Sequence, residues 1–380
     1  MTTIGISTVS SLAEVPPAAW NRLIDPRDPF LSHAVLHGME AHDCLGTQGW
    51  QPVHLLAHAG NRLVGALPLY VRDNSYGEFV FDWAWADAYE RAGGRYYPKL
   101  VTAVPFTPVS GPRLLLGADS PPDTAARLVD AAIRLADDNQ LSSWHCLFPS
   151  ELQLEQFGRA ELIRREGCQY HWFNQGYADF DAFLATLTSK RRKEIRRERR
   201  EVAASGVEID VLEGAAITPA VWRVFYGFYC DTFDRKWGSP RFTEEFFRHL
   251  SRDATTHPVL FMARVDDEYV AGAFALRGAD TLFGRHWGCR RFVKHLHFEL
   301  CYYQTIDYCI RHGLARVDAG AQGEHKVARG FNPVRTWSIH WIRDPAFRRA
   351  VRDFCRREAA QVDAYVSSVE TQSAYRETDQ

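Results

Sequence analysis

The chain has 380 residues, 46% hydrophobic and 24% charged, which excludes an intrinsically disordered chain, a collagen and a coiled-coil rod, and leaves apolar surface for about two domain cores. Forty-five Lys+Arg against 47 Asp+Glu give a formal charge of −2, so any binding to nucleic acid or an anionic membrane must be local. No stretch reaches the ~20 apolar residues of a membrane span. The opening MTTIGISTVSSLAEVPP lacks the basic start and long apolar core of a signal peptide, and the eight Cys are scattered with no CxxC, as expected of reduced thiols in a cytoplasm.

Helical patterns occupy 14–24 and 30–43. Residues 52–69, PVHLLAHAGNRLVGALPL, alternate as a hairpin that turns at Gly60-Asn61. The aromatic, Pro-rich stretch 79–113 reads as a long loop, and a helix (122–138) and a strand (142–148) follow. A long helix is predicted over 179–205. The opening order then returns: helices 217–235 and 242–252, and PVLFMARVDDEYVAGAFAL (258–276), a second hairpin that turns at Asp266-Asp267. Strand 281–287, helix 296–312, strands 315–319 and 335–342 and a last helix, 345–366, complete the chain. The order α-α-β-β-β-α-β-β thus occurs twice. It predicts an α/β protein built by duplication, with an N-terminal half over 1–178 and a C-terminal half over 179–380.

This order, with YYPKLVTAVPFTPVSGPRLL (96–115), SKRRKEIRRERR (189–200), GRHWGC (284–289), HFELCYYQ (297–304) and GAQGEHKVARGF (320–331), resembles the FemAB-like family, described as peptidoglycan biosynthesis/recognition, of the GNAT acyltransferase superfamily. The resemblance implies tandem GNAT-like (Fem-type) halves, each a mixed central sheet flanked by helices. It also implies transfer of an aminoacyl or acyl group from an activated donor to an amine of a small molecule, peptide or cell-wall precursor. Acetyl-CoA-dependent members hold pyrophosphate on an (Arg/Gln)-x-x-Gly-x-(Gly/Ala) loop. The stretch here, GCRRFVKHLHFE (288–299), lacks that glycine pair. The donor is then either aminoacyl-tRNA, as in Fem-type relatives, or acyl-CoA on an atypical loop, with no tightly bound cofactor. A non-catalytic protein that recognises a peptide or cell-wall precursor between the halves is the alternative.

Four segments carry candidate chemistry. In the basic helix Arg191 falls on the apolar stripe of Leu184, Leu187, Ile195 and Val202, where it must be paired, with Glu198 or with a bound anion. Lys193, Arg196, Arg197, Arg199 and Arg200 face away, either solvated or holding phosphates. In helix 296–312 Glu299 and Asp307 share the apolar face. Burial raises a carboxyl pKa and suits Glu299 to general-base catalysis, unless it pairs with a structural Arg. GAQGEHKVARGF places Glu324 or His325 to move a proton, and Lys326 and Arg329 to hold phosphate or an oxyanion. GRHWGC adds Arg285 to the anion-binding set, His286 to the proton carriers and Trp287 to the acceptor side. In the aromatic stretch Asp82, Trp83, Trp85, Tyr96, Tyr97 and Lys99 either line an acceptor pocket or seal a seam. His54/His58 and His295/His297 lack a suitably spaced third ligand, so no metal site is expected.

Overall fold

The computed structural model describes residues 4–235, 238–321 and 323–376, with the side chain of Glu324 outside that description. The chain divides into two compact units. The first runs through Cys168 and includes Arg335–Ala364; the second comprises Gln169–Val334 and the residues from Tyr365.

In the first unit Ile4–Val9, His54–Ala59, Arg62–Leu67 and Leu115–Leu116 form an antiparallel sheet in that order. Ala59 pairs with Arg62, so the hairpin turns on Gly60-Asn61 as expected, with Gly60 supplying a φ of 60°. Helix Thr124–Asp138 buries Leu128, Val129, Ala132 and Ala136 against Leu55, Ala57, Val64 and Leu67. Elsewhere in the unit, Lys99–Thr102 runs parallel to Ser143–Leu147, which pairs antiparallel with Ser338–Ile342. The strand read at 335–342 as an element of the second half therefore completes the first unit's sheet. The stretch 79–113 is not one loop. It holds helix Trp83–Arg91, which buries Trp85 and Ala86, and the wholly buried strand Lys99–Thr102.

In the second unit the order is Glu208–Glu213, Pro258–Val265, Glu268–Arg277, Thr281–Cys289, Arg316–Asp318 and the end of Ile163–Phe173. Among the described residues of this unit, only Thr281–Cys289 and Arg316–Asp318 pair in parallel. Asp266 and Asp267, both left-handed (φ 52° and 63°), make the two-residue hairpin turn. Strand Ile163–Phe173 was not expected: its first half, IRREG, has no period-2 alternation, and only the short stretch CQYHW alternates. Helices Pro219–Asp234 and Glu244–Arg252 pack Phe225 and Phe247 against Phe274 of the sheet.

The helix predicted over 179–205 is two: Phe180–Thr186 and Ser189–Ala204. Leu187 and Thr188 between them are extended (ψ 157° and 150°), and Leu187 forms a β-bridge to Tyr375. Helix 296–312 is interrupted by a π turn, Glu299–Tyr303, between Leu296–Phe298 and Gln304–Arg311. Among the described residues no helix is long and apolar enough to cross a membrane.

Candidate active site

The site grows from a fork in the second unit's sheet. Thr281–Cys289 and Arg316–Asp318 pair at Thr281–Arg316, Leu282–Val317 and Phe283–Asp318. One residue past that point the first strand bulges: Ala275 opposes Gly284 and Phe274 opposes His286, leaving Arg285 as the extra residue. A bulge re-aims the side chains that follow it. A cavity of about 110 Å³ lies here, between Gly284, Arg285 and Trp287 on the strand and Cys301, Tyr302 and Thr305 on the interrupted helix. The π turn inserts one residue into that helix, and Thr305 Oγ1 donates to the carbonyls of Cys301 and Tyr302 (3.0 and 2.9 Å).

A charged cluster sits beside the fork. Asp318 is 1% exposed and grips Arg285 with both carboxylate oxygens (3.2 and 3.1 Å) while accepting the Gly320 N–H at 2.9 Å. Burial opposes its charge, but Arg285 and His171 outweigh it and hold the carboxyl well below its usual range. His171 Nε2 lies 3.7 Å from Asp318, and burial pushes this imidazole down to about 4, so it is neutral at pH 7. Neither ring nitrogen of His171 has a hydrogen-bond partner among the described residues. Lys326, 2% exposed, donates to Ala319 O (2.8 Å) and Gly320 O (2.7 Å), the backbone just beyond Asp318. Burial is the main cause that pushes Lys326 down to about 8, with Asp318 resisting and Arg285 assisting.

Two further networks tie the π turn to the basic helix. Glu198 accepts both Arg329 contacts (2.8 and 3.0 Å) and the Tyr303 hydroxyl, while Arg329 also donates to Tyr303 Oη and stacks 3.6 Å from the Phe298 ring. Glu299, 3% exposed, accepts Arg199 Nε at 3.2 Å on both oxygens and Gln304 Nε2 at 2.8 Å. His325, near the cavity, has its Nε2 2.8 Å from Tyr302 Oη, and burial, then Arg329, lowers its pKa.

The structure thus gathers Arg285, Lys326, Arg329, Glu299 and His325 around one helix and one fork. It changes three readings. Arg191 is half-buried and pairs with Glu194 at 3.0 Å, because Glu198 is taken by Arg329. Glu299 is not an unpaired buried carboxylate; Arg199, expected to face away, reaches it. Asp307 pairs with Arg311 at 3.2 Å on the same helix. Lys193 is exposed. His286 rests among Tyr229, Phe242 and Phe274, and burial pushes it down to about 3. The side chain of Glu324 lies outside the described residues. Sequence reasoning missed His171, Asp318 and Tyr302. The last two stand next to or inside motifs it had singled out; His171 sits on a strand that was not expected.

The residues proposed for an acceptor divide. Trp287 lines the cavity of the second unit. Asp82, Trp83, Trp85, Tyr97 and Lys99 belong to the first, where Lys99 is fully buried and donates to Asp82 (2.5 Å), Glu78 (2.8 Å) and Ser75 (2.7 Å). Asp82 also accepts the Tyr96 hydroxyl at 2.7 Å. Trp85 is buried edge-on to His340, Tyr97 is half-buried against Ser75 at 2.8 Å, and Trp83 is 46% exposed.

No curated protein matches the sequence. Among solved structures, FemX superposes with a TM-score of 0.52 at 10% identity over 82% of this chain and 93% of its own. L-PGS from Bacillus licheniformis gives 0.51 at 10% identity over 83% and 94%. A tandem GNAT protein from the clavulanic acid biosynthesis pathway gives 0.47 at 12% identity over 89% and 98%. These likenesses concern the fold, which is that of tandem GNAT-like α/β halves. The family model described as peptidoglycan biosynthesis/recognition matches residues 11–377, and the chain belongs to the FemAB-like family.

Proposed function

We propose that the chain is an acyltransferase that moves an aminoacyl or acyl group from an activated ester or thioester to an amine, with the reaction at the fork of the second unit. The observation that carries this reading is the cavity at the Arg285 bulge where the two parallel strands part, with the Lys326 ammonium on the carbonyl of Ala319, one of the residues that line it. The volume, about 110 Å³, suits an acyl group of a few heavy atoms. Attack by the amine puts negative charge on the acyl oxygen, and a buried ammonium at Lys326 stabilises it more than an exposed one would. The attacking nitrogen must lose a proton. Tyr302 lines the cavity and contacts His325, so that proton passes to the Tyr302 oxygen as the Tyr302 proton passes to neutral His325. Collapse of the intermediate then breaks the acyl C–O or C–S bond, and the departing hydroxyl or thiol takes up the proton held on His325. Asp318 holds Arg285, and Glu299 and Glu198 hold the π turn in place.

For the donor, aminoacyl-tRNA is favoured over acyl-CoA. The stretch before Leu296 has no glycine pair, and the Leu296 N–H is already spent on Val293 O at 3.2 Å, so this helix start offers a poor pyrophosphate cradle. The family description directs the acceptor search first to amines of cell-wall precursors, with peptides and small-molecule amines beside them. The test offers the purified chain isotope-labelled aminoacyl-tRNA and acyl-CoA in parallel with such amines, and reads amide formation by mass spectrometry. Amide formed by the parent chain and lost in Lys326→Ala supports the reading. A chain that carries an unmodified precursor through purification and transfers from neither donor is a recognition protein, and the transferase reading falls.

A further inference from the structure

The link between Thr281–Cys289 and Leu296–Phe298 reads Arg290-Arg291-Phe292-Val293-Lys294, and Phe292 at its middle is 85% exposed. Covering a ring so open to water removes apolar surface from solvent and is favourable. The segment is anchored at both ends. The Arg290 N–H donates to Val270 O (2.9 Å) and its guanidinium to Asp231 (3.3 Å), while Lys294 donates to Glu201 (2.8 Å) and His295 lies 3.4 Å from the same carboxylate. Glu201 belongs to the basic helix Ser189–Ala204, so the loop lies against that helix.

The helix exposes Lys190, Lys193, Arg196, Arg197 and Arg200. Among the described residues Lys190, Lys193, Arg200 and Arg291 have no ion pair, although the whole chain carries a net charge of −2. Exposed cations therefore lie on the helix to which this loop is anchored and, at Arg291, next to the exposed ring in the chain. An anionic bilayer satisfies both features: its phosphates attract the Lys and Arg side chains, and its interfacial zone takes up the ring. A nucleic-acid strand satisfies the cations but leaves a single ring at a loop tip with no series of stacking partners.

We propose that the chain docks on an anionic lipid surface through loop 290–294 and the exposed cationic face of helix Ser189–Ala204. This docking does not depend on the transferase reading.

The test is flotation of the full chain with vesicles of phosphatidylglycerol and phosphatidylcholine, against vesicles of phosphatidylcholine alone, at low and high salt. Binding is expected only to the anionic vesicles and is expected to fall with salt. Phe292→Ala weakens it about tenfold without removing the salt dependence. The combined Lys190→Glu, Arg197→Glu and Arg200→Glu variant weakens it by about a hundredfold or more. All three positions are exposed, and circular dichroism checks that the variants fold. Equal binding to both vesicle types, or unchanged binding by both variants, overturns the proposal. So does tight binding of a single-stranded RNA by a chain that ignores the anionic vesicles, because the cations then serve a strand and not a membrane.

Discussion

Lys326 is a buried ammonium whose hydrogen bonds go to two carbonyls and whose pKa is pushed down to about 8 by burial. Below that pH it is charged and can support an oxyanion; above it the charge is lost. The transfer rate is therefore expected to fall as pH rises through about 8, and a pH–rate profile checks this. Lys326→Ala should lower the rate by about 10²–10³, the usual effect of removing one oxyanion donor. Lys326→Arg should retain part of the rate and lose the fall near pH 8, because an Arg stays charged. Glu299 answers differently. Held by Arg199 and Gln304, it positions the π turn, so Glu299→Gln should keep the rate within a few-fold, whereas Glu299→Ala should raise KM more than it lowers kcat. A loss of about 10²–10⁴ in Glu299→Gln would instead mark it as the base. The residue types at these positions were legible in HFELCYYQ and GAQGEHKVARGF. Their partners were not, because Glu198 meets Arg329 across a separation of 131 residues and Arg199 meets Glu299 across 100. No local period encodes such pairings.

At the scale of elements, the basic helix holds the π turn by the Arg199–Glu299 ion pair and by the Tyr303 hydroxyl on Glu198, and holds the segment ending at Arg329 by the buried Arg329–Glu198 pair. Arg329 is 6% exposed and Glu198 3%, so Arg329→Ala leaves a buried carboxylate without its cation. Breaking such a pair costs about 3–5 kcal/mol, and a lowered denaturation midpoint is the expected result. Arg329→Ala combined with Glu198→Leu should recover much of that loss, because the remaining charge goes with its partner. The hairpins at Gly60-Asn61 and Asp266-Asp267 were legible since alternation and turn chemistry agree there. Strand Ile163–Phe173 was hidden, because a strand buried unevenly along its length loses its period. The break at Leu187–Thr188 was hidden because Leu184, Leu187, Ile195 and Val202 carry one apolar stripe across it. Helix Trp83–Arg91 was hidden under an aromatic composition that suggested a loop.

Across the whole molecule, the duplicated order appears in the sequence, but the assignment of the last strands does not. Residues 171–173 pair with Arg316–Asp318 in one unit, and Ser338–Ile342 pair with Ser143–Leu147 in the other. Both pairings join segments remote in sequence, so a reading by chain order puts strand 335–342 in the wrong unit. The same sheets bury three imidazoles that stay neutral. His145 and His340 touch through their Nδ1 atoms in the first unit and are 1% exposed; His171 is 4% exposed in the second. Burial pushes His145 down to about 3, His171 to about 4 and His340 well below its usual value. An unfolded His takes up a proton near pH 6.5, and these folded ones refuse it, so unfolding binds protons as the solution is acidified. The stability they contribute is full above about pH 6.5 and is lost as pH falls toward the folded values. At pH 5 the loss is roughly 2 kcal/mol for each imidazole, which is large beside a typical total of 5–15 kcal/mol. Denaturation midpoints should therefore drop steeply between pH 7 and pH 5. His145→Gln, which cannot be protonated, should start less stable at pH 7 and lose less on acidification. A midpoint that is flat over this range in the parent chain would mean that these rings are solvated and ionise freely.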